Sequence, residues 1–338
     1  MSSETINGVT WNIVDGIITS ASDYGSNVIV PGTVDGITVV GFSNQIFKTQ
    51  TTIQTISIPD SVTSLPTEFF GDVNNNTLTS VTFTENSQLT TIGLRAFKDC
   101  LMLTDFKIPS TVTTFSGTHQ FQTTAMSSVT IPAGLVTIGE GAFYNMPNLT
   151  ELIFAPNSNL DEFAQGYGFT NCVKLDVIIN FPAQNFPDNS KFDSTTFQTI
   201  GPNPVVILSE ETTDAQADAF IANGDITGRF TSSTTTNVVT FYKRPLTDPN
   251  ISTLLTANVT VAQLRVAGAT LSQLQTGGAS ITALITGGFT VQQLLAESVS
   301  IDDLLAAGVT VQQLLDANVS QIEIDIAVTQ IKIHTAFT

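Results

Sequence analysis

The sequence predicts a repeat solenoid of mixed β and α structure, in two parts with different periods. Phenylalanine recurs at Phe47, Phe70, Phe97, Phe121, Phe143 and Phe169, at intervals of 22 to 27 residues. Self-similarity in that range marks a chain wound into coils, each burying its apolar positions only against its neighbours. Leucine then recurs every tenth residue at Leu254, Leu264, Leu274, Leu284, Leu294, Leu304 and Leu314. At 338 residues, with 41% hydrophobic content, the chain exceeds what one core usually holds and has the means to fold as two or more units.

Residues 1–52 read as a lead-in with the first coil, and 53–200 as the coiled body. Each coil opens on a short alternating segment: Ile56/Ile58, Val81/Phe83, Phe106/Ile108, Val129/Ile131 and Leu152/Phe154. A period of two is that of a strand with one buried face. Pro59, Pro109, Pro132 and Pro156 then close it, since proline cannot donate to a ladder. A second apolar pair and the recurring phenylalanine follow, so the rings are expected to stack as an internal ladder. Thr84 stands where a proline is due, and 175–198 is degenerate, which predicts an irregular last coil.

These residues resemble the leucine-rich repeats of the BspA type, found in surface proteins of bacteria and protists. The matching features are the strand "LTSVTF" or "SSVTIP", the turn "TIGEGAF" and the cysteine closing "FKDC" and "FTNC". The opening "NGVTWNIVDGIITSASDYGSNVIVPGTVDGITVVGFSNQIF" is similar to that family's lead-in. The resemblance covers roughly 5–200 and implies a leucine-rich-repeat β-solenoid and export to a surface; binding follows only from the long surface a solenoid offers. It implies no catalytic residues.

Residues 201–250 read as a cap and linker. "PNPVVILSEETTDAQADAFIANG" predicts a strand and then a helix with Thr212 or Thr213 as N-cap and Gly224 beyond its end. "TSSTTTNVVTFYKRPLTDPN" predicts a final strand and a proline-marked connection.

Residues 251–320 hold seven ten-residue copies without an insertion. Thr or Ser fills place ten and suits a helix N-cap. The apolar places one, four and often five fall on one helical face. Place eight is Asn258, Gly268, Gly278, Gly288, Ser298, Gly308 or Asn318, mostly residues that tolerate the left-handed conformation ending a helix. Each copy therefore reads as a helix of about two turns, too short to persist alone and stacked to bury the leucine row. The alternative is a pentapeptide-like β-helix: place seven is small enough for it, whereas Gln292, Asp302 and Gln312 at place two are not. The phrase also resembles decapeptide arrays of marine microbial and large-virus proteins, which carry no known chemistry.

The tail, 321–338, alternates at Ile322, Ile324, Ile326, Ile331 and Ile333 and predicts a strand pair. It serves either as an end cap or as a docking edge through which copies or partners assemble.

Composition narrows function. Charged residues are only 12%, about half the usual share, and the net charge is −18. An acidic surface with no Lys/Arg run repels phosphate backbones and anionic membranes. No stretch approaches the ~20 apolar residues of a membrane span, and "MSSETINGVTWN" lacks the basic start and apolar core of a secretory signal. His119 and His334 lie far apart. Cys100 and Cys172 occupy equivalent repeat positions, which predicts unpaired core thiols. "DVNNN" (Asp72–Asn76) begins like a calcium loop but lacks the glycine and glutamate such a loop needs at Thr77 and Phe83. Asp302 and Asp303 read as a solvated helix face. The sequons at Asn75, Asn148, Asn250, Asn258 and Asn318 are expected by chance in a Thr/Ser-rich chain.

No catalytic, cofactor-binding or metal site emerges. The reading is a non-enzymatic surface or particle-associated protein that binds a protein or glycan through its solenoid. The alternative is a purely structural subunit, a decoration, fibre or spacer, of a virus particle or cell envelope. An exposed aromatic patch on the solenoid favours the first, and apolar contact at 321–338 the second.

Overall fold

The computed structural model describes residues 1–71, 76–164, 166–187, 190–191, 195–201, 204–224 and 240–337, with side chains to Ile331. It divides into two compact units, Met1–Lys243 and Arg244–Thr338.

The first unit opens on an antiparallel meander of Ser2–Ile6, Val9–Val14 and Ile17–Ser22. Its two turns are Asn7-Gly8, at φ 53° and 82°, and Asp15-Gly16, at 51° and 84°. Two-residue turns with positive φ at both positions match the twist of the flanking strands, which is why Asn-Gly and Asp-Gly occur there. Trp11 and Ile13 from this meander are fully buried.

The coils follow. Strands Asn27–Ile29, Thr55–Ile58, Ser80–Phe83 and Asp105–Phe106 pair in parallel, with Val81 opposite both Ile56 and Phe106. Strands Ser128–Ile131, Glu151–Phe154, Val177–Phe181, Val205–Leu208 and Thr240–Tyr242 form a second parallel sheet. Inward Val81, Val129, Ile131, Leu152 and Phe154 are buried, as their alternation requires.

Phenylalanine forms the predicted ladder. Phe97 and Phe121 stack at 5.5 Å between ring centroids, Phe121 and Phe143 at 5.5 Å, and Phe143 and Phe169 at 4.9 Å, with planes within 10° of parallel. Phe47 and Phe70 continue it at the front. The ladder runs one coil beyond the sequence reading, because Phe197 stacks on Phe169 at 5.2 Å. Among the described residues of that coil the strand is irregular, its register shifting between Ile178 and Phe181. Burying each such ring stabilises the fold by roughly 1.5–3 kcal/mol.

At the far end helix Asp214–Ala222 is capped by Thr213, whose hydroxyl accepts from the Gln216 amide while the Gln216 side chain accepts from the Thr213 amide. Phe220 from this helix lies 5.4 Å from Phe181 and covers the last coils.

In the second unit each ten-residue copy is a short helix: Asp248–Thr256, Val261–Val266, Leu271–Thr276, Ile281–Thr286, Val291–Ala296, Ile301–Ala306 and Val311–Asp316. The β-helix alternative is thereby overturned. Thr260, Thr270, Thr290 and Thr310 cap their helices, each in a reciprocal box with the glutamine three residues on. All of the place-eight residues have positive φ, from 64° at Asn258 to 94° at Gly278. The Val259 amide then reaches back to the Leu254 carbonyl at 2.9 Å and the Asn258 amide to Leu255 at 3.1 Å. That double bond satisfies the orphan carbonyls of a helix end and brings place nine against place four. The place-four leucines are fully buried throughout.

Stacking joins every second copy, so one coil of the array is two helices. The place-seven residues Gly277 and Gly287 lie against Ile251 and Val261, place one of the copy two before, and a Cβ on either glycine would come within 2.6 Å of those side chains. Arg265 reaches forward in the same way to the carbonyls of Gly287 and Gly288, and its guanidinium lies 4.7 Å from the Phe289 ring centroid.

The tail corrects the sequence reading. Gln321–Phe337 is one helix, not a strand pair, so Ile322, Ile324 and Ile326 do not line one edge. Ser320 repeats the array's cap, with the Glu323 carboxylate accepting from the Ser320 amide and hydroxyl at 2.9 and 2.6 Å. Ile324 falls at place four and is buried like the leucines before it. Place eight is now Val328, a β-branched residue that resists the left-handed conformation, so the helix runs on instead of turning.

Candidate functional site

The geometry of the coil decides which side chains face outward together. In six of the coils the residue two before the stacked phenylalanine has positive φ: Gln45 63°, Glu68 51°, Arg95 53°, His119 60°, Gly141 60° and Tyr167 61°. This twist turns the phenylalanine inward and presents the preceding residue on the turn. Stacking then lines these residues up as a column, which passes from charged to aromatic.

At its start Glu68 is nearly buried and is held by Gln45 Nε2 at 2.7 Å and Lys48 Nζ at 2.5 Å, with Arg95 Nη1 at 3.8 Å. A buried carboxylate needs such partners, and the cluster staples three coils. His119 comes next, its Nδ1 2.7 Å from Thr118 Oγ1. Burial lowers its pKa below the usual histidine value, an effect that Glu140 opposes. Its ring lies over Gly141, where a Cβ would sit 2.5 Å from His119 Cδ2.

Beyond that glycine Tyr144 and Tyr167 meet edge to face, 5.9 Å between centroids at 71°. Asn171 Nδ2 donates to the Tyr144 hydroxyl at 3.1 Å, and the Tyr167 amide donates to Thr195 Oγ1 at 3.0 Å. Tyr167 is 47% exposed. Rings with a polar tip suit a surface that is apolar at one end and wet at the other. The sequence reading did not single these tyrosines out. Their signal lies in the repeat register, Tyr144 one after and Tyr167 two before a ladder phenylalanine.

Other candidates fall apart from this face. Cys100 and Cys172 are buried and unpaired. Burial pushes the Cys172 thiol up to about 12, and Cys100 further still with help from Asp99. Asp303 accepts from Ser300 Oγ at 2.6 Å and belongs to a helix cap. Asn258 and Asn318 are helix-ending residues, and exposed Asn148 accepts from Lys174 Nζ at 3.1 Å. The start of the "DVNNN" segment, Asn75 and the side chains of Ile333 and His334 lie outside the described residues. Among the described residues no group of three or more His, Cys, Asp or Glu is placed to hold a metal ion, and no helix is long and apolar enough to cross a membrane.

Coils with parallel strands, a stacked phenylalanine ladder and an outward polar column define a leucine-rich-repeat solenoid. The BspA type leucine-rich repeat region matches in 6 copies over residues 40–176 and 116–243, more than half of the chain, and the protein belongs to that family. The decapeptide repeat region matches residues 250–321. Among solved structures the chain is similar to a leucine-rich cell surface protein of Faecalibacterium prausnitzii, with 21% identity over 54% of this chain and 56% of that one, at a TM-score of 0.39. A leucine-rich-repeat protein of Bacteroides ovatus gives 21% identity over 60% and 54%, at 0.45. A leucine-rich-repeat protein of T. pallidum gives 24% over 47% and 82%, at 0.37. The chain spans a little over half the length of the first two. The comparison with curated proteins gives no match. BspA-like repeat proteins are typically binding or adhesion proteins and often surface-associated.

Proposed function

We propose that this is a non-enzymatic surface or particle-associated protein that binds or adheres through the turn face of its leucine-rich-repeat solenoid. The observation that carries the reading is the Tyr144–Tyr167 pair, exposed at Tyr167 and tethered by Asn171 at the end of a charged column. A fixed aromatic pair supplies contact area at low entropic cost, because its rotamers are already set before a partner arrives. The array carries no comparable group and serves as a spacer, each copy repeating one packing task. A second reading, a structural subunit of a virus particle or cell envelope, is favoured by one feature: Ile322 and Ile326 on the final helix are 72% and 53% exposed.

Cross-linking mass spectrometry in the native source tests the first reading. Cross-links from Lys98 and Lys174 on the solenoid to a different protein are expected. Cross-links only between copies of this chain, all through Lys332 in the tail, would replace it with the second.

A further inference from the structure

The parallel sheet is interrupted within the solenoid, and a lone cation stands at the interruption. Asp105–Phe106 ends one sheet and Ser128–Ile131 begins the next. The short strands on the second face break at the same coil, with Ser64–Leu65, Thr91–Ile92 and Thr114–Phe115 in one sheet and Thr137–Ile138 with Glu162–Phe163 in another. On the turn side the same two coils stay stitched: the amides of His119, Phe121 and Thr123 donate to Glu140, Ala142 and Tyr144 at 3.0, 2.8 and 3.0 Å. The opening therefore belongs to the sheet faces alone.

The chain leaves the ladder early on its other side too. Ser80–Phe83 pairs with Thr55–Ile58 over four residues but with the next strand only at Asp105 and Phe106. Two clefts result. One of about 380 Å³ lies between Phe83, Glu85 and the segment Lys107–Thr111. The other, of about 410 Å³, lies between Asp105, Lys107 and Ile108 on one side and Ser128 and Thr130 on the other. Lys107 lines both.

Among the described side chains the other Lys and Arg residues are engaged. Lys48 meets Glu68, Lys98 meets Asp99, Lys174 meets Asn148, Lys191 meets Asp161 and Lys243 meets Asp218. Arg95 lies beside Glu68, and Arg265 donates to carbonyls. Among the described residues Lys107 makes no such contact, and the neighbouring Asp105 carboxylate already accepts from Ser80 Oγ at 2.8 Å. An exposed ammonium flanked by unpaired strand edges offers a carboxylate partner and a row of backbone groups at once.

We propose that the interruption binds an extended acidic peptide, whose backbone adds to the open strand edges while a carboxylate pairs with Lys107. A peptide matches the site better than a sugar chain because the open groups recur at strand spacing and the lining side chains Ser128 and Thr130 are small. The proposal rests on reading the solenoid as a binding module, but it uses the sheet face and not the tyrosine face.

The test is fluorescence anisotropy of the full chain with a fluorescein-labelled octapeptide of alternating valine and glutamate. Binding is expected, weakened about tenfold or more by Lys107→Glu, kept by Lys107→Arg and untouched by Tyr167→Ala; tenfold corresponds to ~1.4 kcal/mol. No binding, or binding that ignores Lys107→Glu, overturns the proposal. So does equal binding of the octapeptide with lysine for glutamate, or displacement of the probe by an equimolar oligogalacturonate, which would assign the site to acidic glycans. If this peptide fails while partners still cross-link to the tyrosine face, the broader binding reading stands without this site.

Discussion

Phe121 and Phe143 stack at 5.5 Å with planes 4° apart, although the strands of their two coils do not pair. At that point the solenoid is held by its aromatic ladder and the turn-side hydrogen bonds, not by its sheet. Ring burial and turn geometry thus carry continuity where strand pairing fails.

Phe121→Ala should therefore destabilise the first unit by about 3–5 kcal/mol, the usual loss for a buried phenylalanine. Chemical denaturation followed by circular dichroism reads the shift. An unchanged midpoint would remove the ladder from the core.

Gly308 has φ 90° and open space where a Cβ would sit, so a substitution there meets backbone strain and no clash at the Cβ. Gly308→Val should cost at least ~1–2 kcal/mol. Gly308→Asn should cost clearly less, since Asn258 and Asn318 hold the same place in other copies. Equal losses in thermal denaturation would show that the left-handed place does not govern the array.

Thr310→Ala removes the hydroxyl that accepts from the Gln313 amide, while the Thr310 amide still donates to Gln313 Oε1, and should cost about 1 kcal/mol. Gln312, exposed and bonded only to Asp316 at 2.8 Å, should tolerate alanine within about 0.5 kcal/mol. The two variants separate the loss of a cap from the loss of an exposed side chain on one helix.

Cys100 and Cys172 should resist iodoacetamide in the native protein and react together once urea unfolds it. Their folded pKa values are raised, so the folded chain holds protons that the unfolded chain releases at about pH 9. Stability should be intact below that pH and fall as pH rises above it, seen as a lower urea midpoint at about pH 10.5 than at about pH 8. Alkylation of either thiol in the native state would contradict the burial of both.

Much of this was legible because the repeats say the same thing many times. The alternation Val129/Ile131, the phenylalanine spacing and the Thr…Gly frame of the array each specify a local conformation that packing then reinforces. The helical tail was not, because Ile322, Ile324 and Ile326 satisfy a period of two while Ser320 and Glu323 cap a helix, and the cap together with the buried Ile324 decides. Pairing of alternate array copies was hidden for another reason: the copies are too alike for a two-copy coil to leave a period of twenty. Tyr144 and Tyr167 escaped notice because their meaning depends on neighbouring coils, not on adjacent sequence.

The central claim is that the tyrosine face, and not the tail, meets the partner. A photo-cross-linking residue placed at 167, and separately at 322, in the full chain in its native source reads it directly. The account predicts a conjugate with a different molecule from position 167 and none from 322. Conjugates from 322 alone, joining this chain to itself or to a particle component, would contradict it.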